Sequence, residues 1–177
     1  CIRDSDGVIN VTEDGGENWR SVDSFRGVPD MSLVEDLIAS VHSAEVAYAV
    51  FDNHKRGDYK PYLYKTTDRG RSWRSISGNL PKRGSVHTVA EDHVDPNLLF
   101  AGTEFGLFFT QDGGESWHSL KSNFPTIAVR DLEIQRREND LIVGTFGRGV
   151  YILDDYTPLR TPATDLSDRE TSLFAVK

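Results

Sequence analysis

Thr12-Glu13-Asp14-Gly15-Gly16-Glu17-Asn18-Trp19 decides the fold, because it comes back twice. Thr66-Thr67-Asp68-Arg69-Gly70-Arg71-Ser72-Trp73 and Thr110-Gln111-Asp112-Gly113-Gly114-Glu115-Ser116-Trp117 share its form, Thr-x-Asp-x-Gly-x-x-Trp. The three aspartates stand 54 and then 44 residues apart. Each residue type suits a hairpin turn. The Asp14, Asp68 and Asp112 carboxylates accept backbone N–H groups of their own turn, and Thr12, Thr66 and Thr110 add a second local bond. Gly16, Gly70 and Gly114 allow a positive φ. Trp19, Trp73 and Trp117 open the next strand and are expected to lay a large ring on the neighbouring sheet. Self-similarity at about 40–50 residues with all-β local patterns is the mark of β-propeller blades.

The repeat extends outward from the box. Leu99-Phe100-Ala101-Gly102-Thr103 and Leu141-Ile142-Val143-Gly144-Thr145 each precede a Gly-containing loop and then a β run. The last copy ends in Asp154-Asp155 without the Gly and Trp, a degenerate terminal repeat. Residues 1–156 therefore read as about three and a half four-stranded antiparallel blades. Residues 1–24 form a partial blade with strands at 8–12 and 19–22. Residues 35–77 form a blade with strands at 37–42, 46–51, 62–67 and 72–76. Residues 86–121 form another, with strands at 86–92, 98–103, 107–111 and 116–120. Residues 129–155 form a terminal blade with strands at 130–135, 141–145 and 150–153. The run Val46-Ala47-Tyr48-Ala49-Val50-Phe51 is apolar on both faces, as a strand sandwiched between adjacent blades must be. Residues 157–177 are expected to form an irregular tail, with a helical turn at 165–170 and with Leu173 and Phe174 docked on the barrel. Complete propellers carry roughly 4–8 blades. The open edges of a partial array are therefore expected to pair with absent blades or with another chain.

Bulk properties narrow the function. A formal net charge of −8 disfavours nucleic acid, whose affinity comes from Lys and Arg on phosphates. No apolar run approaches the ~18 residues of a membrane helix. The lone cysteine, Cys1, forms neither an internal disulfide nor a thiolate metal cluster. The chain opens without Met and without a charged-then-apolar signal, and is expected to be a piece of a longer protein.

The string Val129-Arg130-Asp131-Leu132, followed by residues 137–155 with Gly144-Thr145-Phe146-Gly147-Arg148-Gly149-Val150-Tyr151-Ile152-Leu153-Asp154-Asp155, resembles the closing blade of sortilin-like propellers. Ala101-Gly102-Thr103-Glu104-Phe105-Gly106-Leu107 resembles their preceding blade. These are bacterial relatives of the vacuolar protein sorting receptors, within the larger group of Asp-box, or bacterial neuraminidase repeat, propellers. The resemblance covers residues 1–160. It implies a multi-bladed, C-terminal propeller fragment of an exported, extracytoplasmic protein. Sialidases and xyloglucan-cleaving glycosidases share the box, and in both it lies on the outer rim. The box residues are thereby implied to be structural and not catalytic.

Glycoside hydrolysis needs two carboxyl groups about 5–9.5 Å apart. Loops at the ligand-binding end offer Asp4, Asp6, Asp58, Glu104 and Asp131, and nothing in the sequence makes two of them converge. No catalytic residue is assigned. The loop His54-Lys55-Arg56-Gly57-Asp58-Tyr59-Lys60-Pro61 is the longest insertion, and its Arg56 and Tyr59 either touch a ligand or sit on a solvated tip. Phe105 and Phe146 occupy matching loops, with Glu104 and Arg148 beside them. They either line the central channel or pack between blades. His42, His54, His87, His93 and His118 show no metal-ligand spacing, so no metal or cofactor is expected. Two functions follow from different classes. One is a non-catalytic binding propeller that engages a protein, peptide or glycan through its top-face loops. The other is a carbohydrate-active hydrolase whose catalytic residues lie mostly outside this stretch.

Overall fold

The computed structural model describes residues 6–121 and 123–161 and the backbone of residues 2–3. Among the described residues the chain is all-β, apart from two short 3-10 turns, His54–Arg56 and Thr157–Arg160. Four antiparallel sheets follow one another along the chain. The first holds β1 (Ile2–Arg3), β2 (Ile9–Val11) and β3 (Arg20–Val22). The second holds β4 (Leu33–Ala39), β5 (Ala47–Asn53), β6 (Asp58–Thr66) and β7 (Arg74–Ser75). The third holds β8 (Val86–Glu91), β9 (Leu99–Thr103), β10 (Gly106–Thr110) and β11 (His118–Ser119), and the fourth β12 (Val129–Gln135), β13 (Asp140–Thr145) and β14 (Val150–Leu153). The expected turn at 165–170 and the docking of Leu173 and Phe174 lie outside the described residues, as do Cys1 and Asp4.

The sheets stack in sequence order. β4 and β5 pack on β8 of the next sheet, and β8 and β9 pack on β12 of the sheet after. Alternation along a strand divides its side chains between two cores. Tyr48 and Val50 of β5 enter the core shared with the third sheet, beside Val86, Val89, Leu99 and Ala101. Ala49 and Phe51 enter the core shared with the first sheet, beside Ile9, Val11 and Phe25. Phe100 of β9 enters the core against the fourth sheet, with Val129, Leu132 and Leu141. This two-sided demand explains why every residue of β5 and β9 is buried. A strand apolar on both faces has been selected for two neighbours at once.

The sequence reading is corrected at four places. The first sheet has a strand, β1, ahead of the two expected. The outer strands β7 and β11 have two residues each. The residues expected to open them bond elsewhere: Asp68 and Asp112 take the N–H groups of Ser72 and Ser116 at 2.8 and 2.9 Å within the box turns, and Asn79, after β7, takes that of Trp117 at 2.5 Å. The second half of the 54–61 insertion is strand, since β6 already begins at Asp58, which pairs with Asn53. Finally, Trp19 is 47 % exposed, whereas Trp117 is 3 % exposed. Trp73 and Trp117 pack on the sheet before their own. The Trp117 Nε1 donates to the Ile76 carbonyl at 2.8 Å, and Trp73 meets Phe25 edge-on. For Trp19 no sheet precedes its own among the described residues.

Gly114 shows how closely the box turn fits its neighbour. Its φ is +101°, and a Cβ there would sit 2.7 Å from the Ile76 Cβ and 2.9 Å from the Ile76 carbonyl oxygen. Backbone strain and overpacking each cost about 1–3 kcal/mol. Gly114→Ala should therefore lower stability by about 2–4 kcal/mol in urea denaturation, and an unchanged midpoint would contradict this packing.

Candidate functional site

The three box turns lie at the end of the sheets that carries the β6–β7 and β10–β11 connections. They share one bonding scheme. The Thr hydroxyl donates to the Asp Oδ1 (2.8, 2.8 and 2.6 Å), and the Gly N–H donates back to the Thr oxygen. The residue four beyond each Asp gives its N–H to the same Oδ1 (2.9, 2.8 and 2.9 Å). Such donors favour the charged carboxylate. The Asn18 backbone N–H and side-chain amide hold Asp14 down at about 2. The Ser72 hydroxyl and N–H hold Asp68 well below the carboxylate range. Burial alone would raise Asp112, but the Ser116 N–H and Thr110 hydroxyl outweigh it and lower the carboxyl. Carboxylates committed in this way to their own turns are poor proton carriers.

The opposite end of the sheets carries a cleft of about 630 Å³, lined by His54, Tyr59, Arg83, Gly84, Ser85, His87, Glu104, Phe105 and Arg130. Its floor is built by bulges. Pairing slips between Val86 and Thr88 in β8 and between Val129 and Asp131 in β12, so His87 and Arg130 are the extra residues at equivalent places in adjacent sheets. A bulge re-aims its side chain, and here the two meet: the Arg130 guanidinium lies 3.2 Å from His87 Nδ1. Arginine only donates, so Nδ1 accepts and the proton resides on Nε2. That nitrogen, in turn, donates to Glu104 at 3.0 Å. Glu104 also stands 3.5 Å from Arg130, whose cation covers the Phe146 ring at 5.6 Å. Backbone bonds from Gly84 to Tyr59 (2.8 Å) and from Glu104 to Ser85 (3.0 Å) fix the walls.

Of the residues predicted to face a ligand, Glu104, Phe105 and Tyr59 line this cleft. Phe146 is 71 % exposed and reaches the cleft only through Arg130. Phe105 and Phe146 are not equivalent. The pairs Val86↔Thr103 and Val129↔Thr145 align Phe146 with Glu104, one residue earlier. Arg56 turns away and donates to the Asp30 carbonyl at 2.7 Å, and Arg148 is exposed in the β13–β14 turn. Sequence reasoning did not assign Arg83, Ser85, His87 or Arg130 to a site. The legible signal was a histidine inside the otherwise strand-like Val86-His87-Thr88-Val89. Metal-ligand spacing was the wrong test for it. Of the lining residues, Glu104 alone carries a carboxyl group, and no cluster of His, Cys, Asp and Glu suited to a metal occurs among the described residues. No helix among them is long and apolar enough to cross a membrane.

No protein-family model matches the chain. It is 26% identical over 103 residues to an uncharacterized membrane glycoprotein of Saccharomyces cerevisiae, a match covering 56% of this chain and 21% of the yeast protein. Among solved structures it is similar to YCF48 bound to D1 peptide, with a TM-score of 0.60 and 17% identity over 85% of this chain and 45% of the other. It is also similar to the GH74 xyloglucanase of Xanthomonas campestris, with a TM-score of 0.60 and 21% identity over 81% of this chain and 23% of the enzyme. The chain thus spans about a fifth of its curated relative and less than half of either structure. With its stacked antiparallel sheets, it has the fold of a partial β-propeller.

Proposed function

We propose that this chain is part of a non-catalytic binding propeller, of the Asp-box type and sortilin-like in its last two blades, belonging to an extracytoplasmic protein. In this reading residues 1–24, 35–77, 86–121 and 129–155 are its blades, and protein, peptide or glycan is held at the cleft. The single observation that carries it is the composition of the cleft: exposed aromatics at Tyr59 and Phe105 around one carboxyl, Glu104, already bonded to His87 and close to Arg130. Binding sites of this kind combine apolar walls with a few fixed polar groups, whereas glycoside hydrolysis requires a second carboxyl group. The repeated Thr-Asp-Gly bonding of the three turns supports the Asp-box assignment, and the likeness to a peptide-bound propeller supports a binding role.

The second reading, a glycosidase fragment, is favoured by the similarity to a xyloglucanase. A panel of aryl glycosides, a sialoside among them, separates the two when offered to the full-length protein. We expect no turnover. Hydrolysis that disappears in Glu104→Gln would replace the binding reading with the enzymatic one.

The outer faces of the array belong to the same reading. Trp19 on the first sheet is exposed, and Val150 and Ile152 on the last sheet are 65 % and 60 % exposed. These are positions where inner sheets meet neighbours, and further blades or a second chain would cover them. Sedimentation of the isolated chain should accordingly show concentration-dependent association, which Ile152→Lys weakens. A monomer at all concentrations would count against it.

A further inference from the structure

We propose that the cleft takes an acidic peptide segment, with an Asp or Glu carboxylate held between Arg83 and Arg130 and an apolar neighbour against Phe105. This rests on the binding reading above and narrows it to one ligand chemistry.

Charge is the first ground. The chain as a whole carries −8, yet the cleft is lined by two guanidinium groups and one carboxylate. Glu104 is placed against Arg130 and His87, so it offsets Arg130. Arg83 is exposed and has no carboxylate within ion-pair distance among the described residues. Its guanidinium lies 6.0 Å over the Tyr59 ring. A local cationic excess on an acidic protein selects an anionic ligand, and guanidinium presents a planar fork that matches a carboxylate.

The second ground is the polar inventory. Ser85 Oγ is buried at the cleft wall and has no hydrogen-bond partner among the described residues. A buried hydroxyl left unmade is costly, so a ligand group that completes it gains affinity. A peptide bond offers both a donor and an acceptor for it. Arg130 is pre-positioned by His87 Nδ1, Glu104 and Phe146, which lowers the ordering cost of binding through it.

The third ground is the pairing of charge with an apolar wall. Arg83 stands over the Tyr59 ring, and Phe105 is 53 % exposed with its edge toward Gly84. An aliphatic side chain beside a charged one meets both.

The test is a display library of random internal peptide segments, selected against the protein at low salt. The winners are then synthesised with acetylated and amidated ends, so that no terminal carboxylate contributes. We expect Asp or Glu to be enriched several-fold at one position. Replacing it by Asn or Gln should weaken binding about tenfold, as should Arg83→Gln in the protein. Arg83→Lys should recover part of the loss, and added salt should reduce affinity. Thermal melts of each variant should match the parent. Enrichment of neutral or basic residues, or equal binding of the amide isostere, overturns the proposal. If the protein instead holds neutral oligosaccharides and loses them in Phe105→Ala, the acidic-peptide assignment fails while the binding reading stands. Glycoside turnover lost in Glu104→Gln would remove both.

Discussion

Trp117→Ala should lower the free energy of unfolding by roughly 3–5 kcal/mol, the range for truncating a buried aromatic to alanine. The indole is 3 % exposed and sits in the core between the second and third sheets with Leu63, Ile76, Val86 and Leu99. Truncation leaves a cavity with walls on two sheets, and neither is free to collapse into it. It also removes the donor to the Ile76 carbonyl, which anchors the end of one sheet to the box turn of the next. The same substitution at Trp19 should cost about 1 kcal/mol or less, because that ring is half exposed and its N–H bonds only the carbonyl of Gly16 in its own turn. Trp73 falls between the two. It packs on Phe25, but its Nε1 is buried without a partner among the described residues. Urea denaturation of the three variants should rank them Trp117, Trp73, Trp19. Equal losses at all three would mean that the box tryptophan stabilises only its own hairpin and not the contact between sheets.

That ranking marks where sequence reasoning stops. Thr12, Asp14, Gly16 and Trp19 spell the same box as Thr110, Asp112, Gly114 and Trp117, and the two turns share the Thr-to-Asp bond, the Gly-to-Thr bond and the N–H given to Asp from four residues on. Local chemistry is written in the box, so the turns were legible. Burial of the ring depends on the preceding sheet, which no residue of the box encodes. Strand β5 was legible for the converse reason: a run apolar on both faces states its two-sided burial directly. The cleft was half legible. Glu104 and Phe105 stand in the β9–β10 turn and Tyr59 at the start of β6, and the repeat puts these positions at one end. His87 and Arg130 escaped because their roles come from bulges, which shift pairing by one residue and leave no mark in composition or spacing. Phe105 and Phe146 differ for another reason: Phe105 stands two residues after Thr103, and Phe146 one residue after the equivalent Thr145.

The second large effect lies far from the cleft, at Asp92, and concerns what holds the segment after β14 to the third sheet. Asp92 follows β8 and its side chain is fully buried. Arg160 grips it with two bonds of 2.8 Å, the Tyr156 hydroxyl adds one of 2.5 Å, and the Asp95 N–H adds one of 2.8 Å. Arg160 also reaches the Asn139 amide oxygen at 2.8 Å, so one guanidinium ties the third sheet, the fourth sheet and the 3-10 turn Thr157–Arg160 together. Arg160→Met should cost about 3–5 kcal/mol, because it strands a buried carboxylate. In Asp92→Asn/Arg160→Met the loss should be smaller than the sum of the single losses, since neither charge is then left alone. Acid should act on the same cluster. Burial by itself would raise the Asp92 carboxyl, but the Arg160 fork, the Tyr156 hydroxyl and the Asp95 N–H together carry it down to about 2. A carboxyl lowered in the folded state contributes stability above its unfolded value of ~3.9, and that contribution disappears as pH falls toward 2. The parent should therefore lose stability between about pH 4 and pH 2, and the loss over that window should be shallower in Asp92→Asn, which has no proton to take up there. Parallel acid limbs for parent and variant would show that the cluster is intact without the charge on Asp92, and that Arg160 holds the segment through Asn139 and Tyr156 instead.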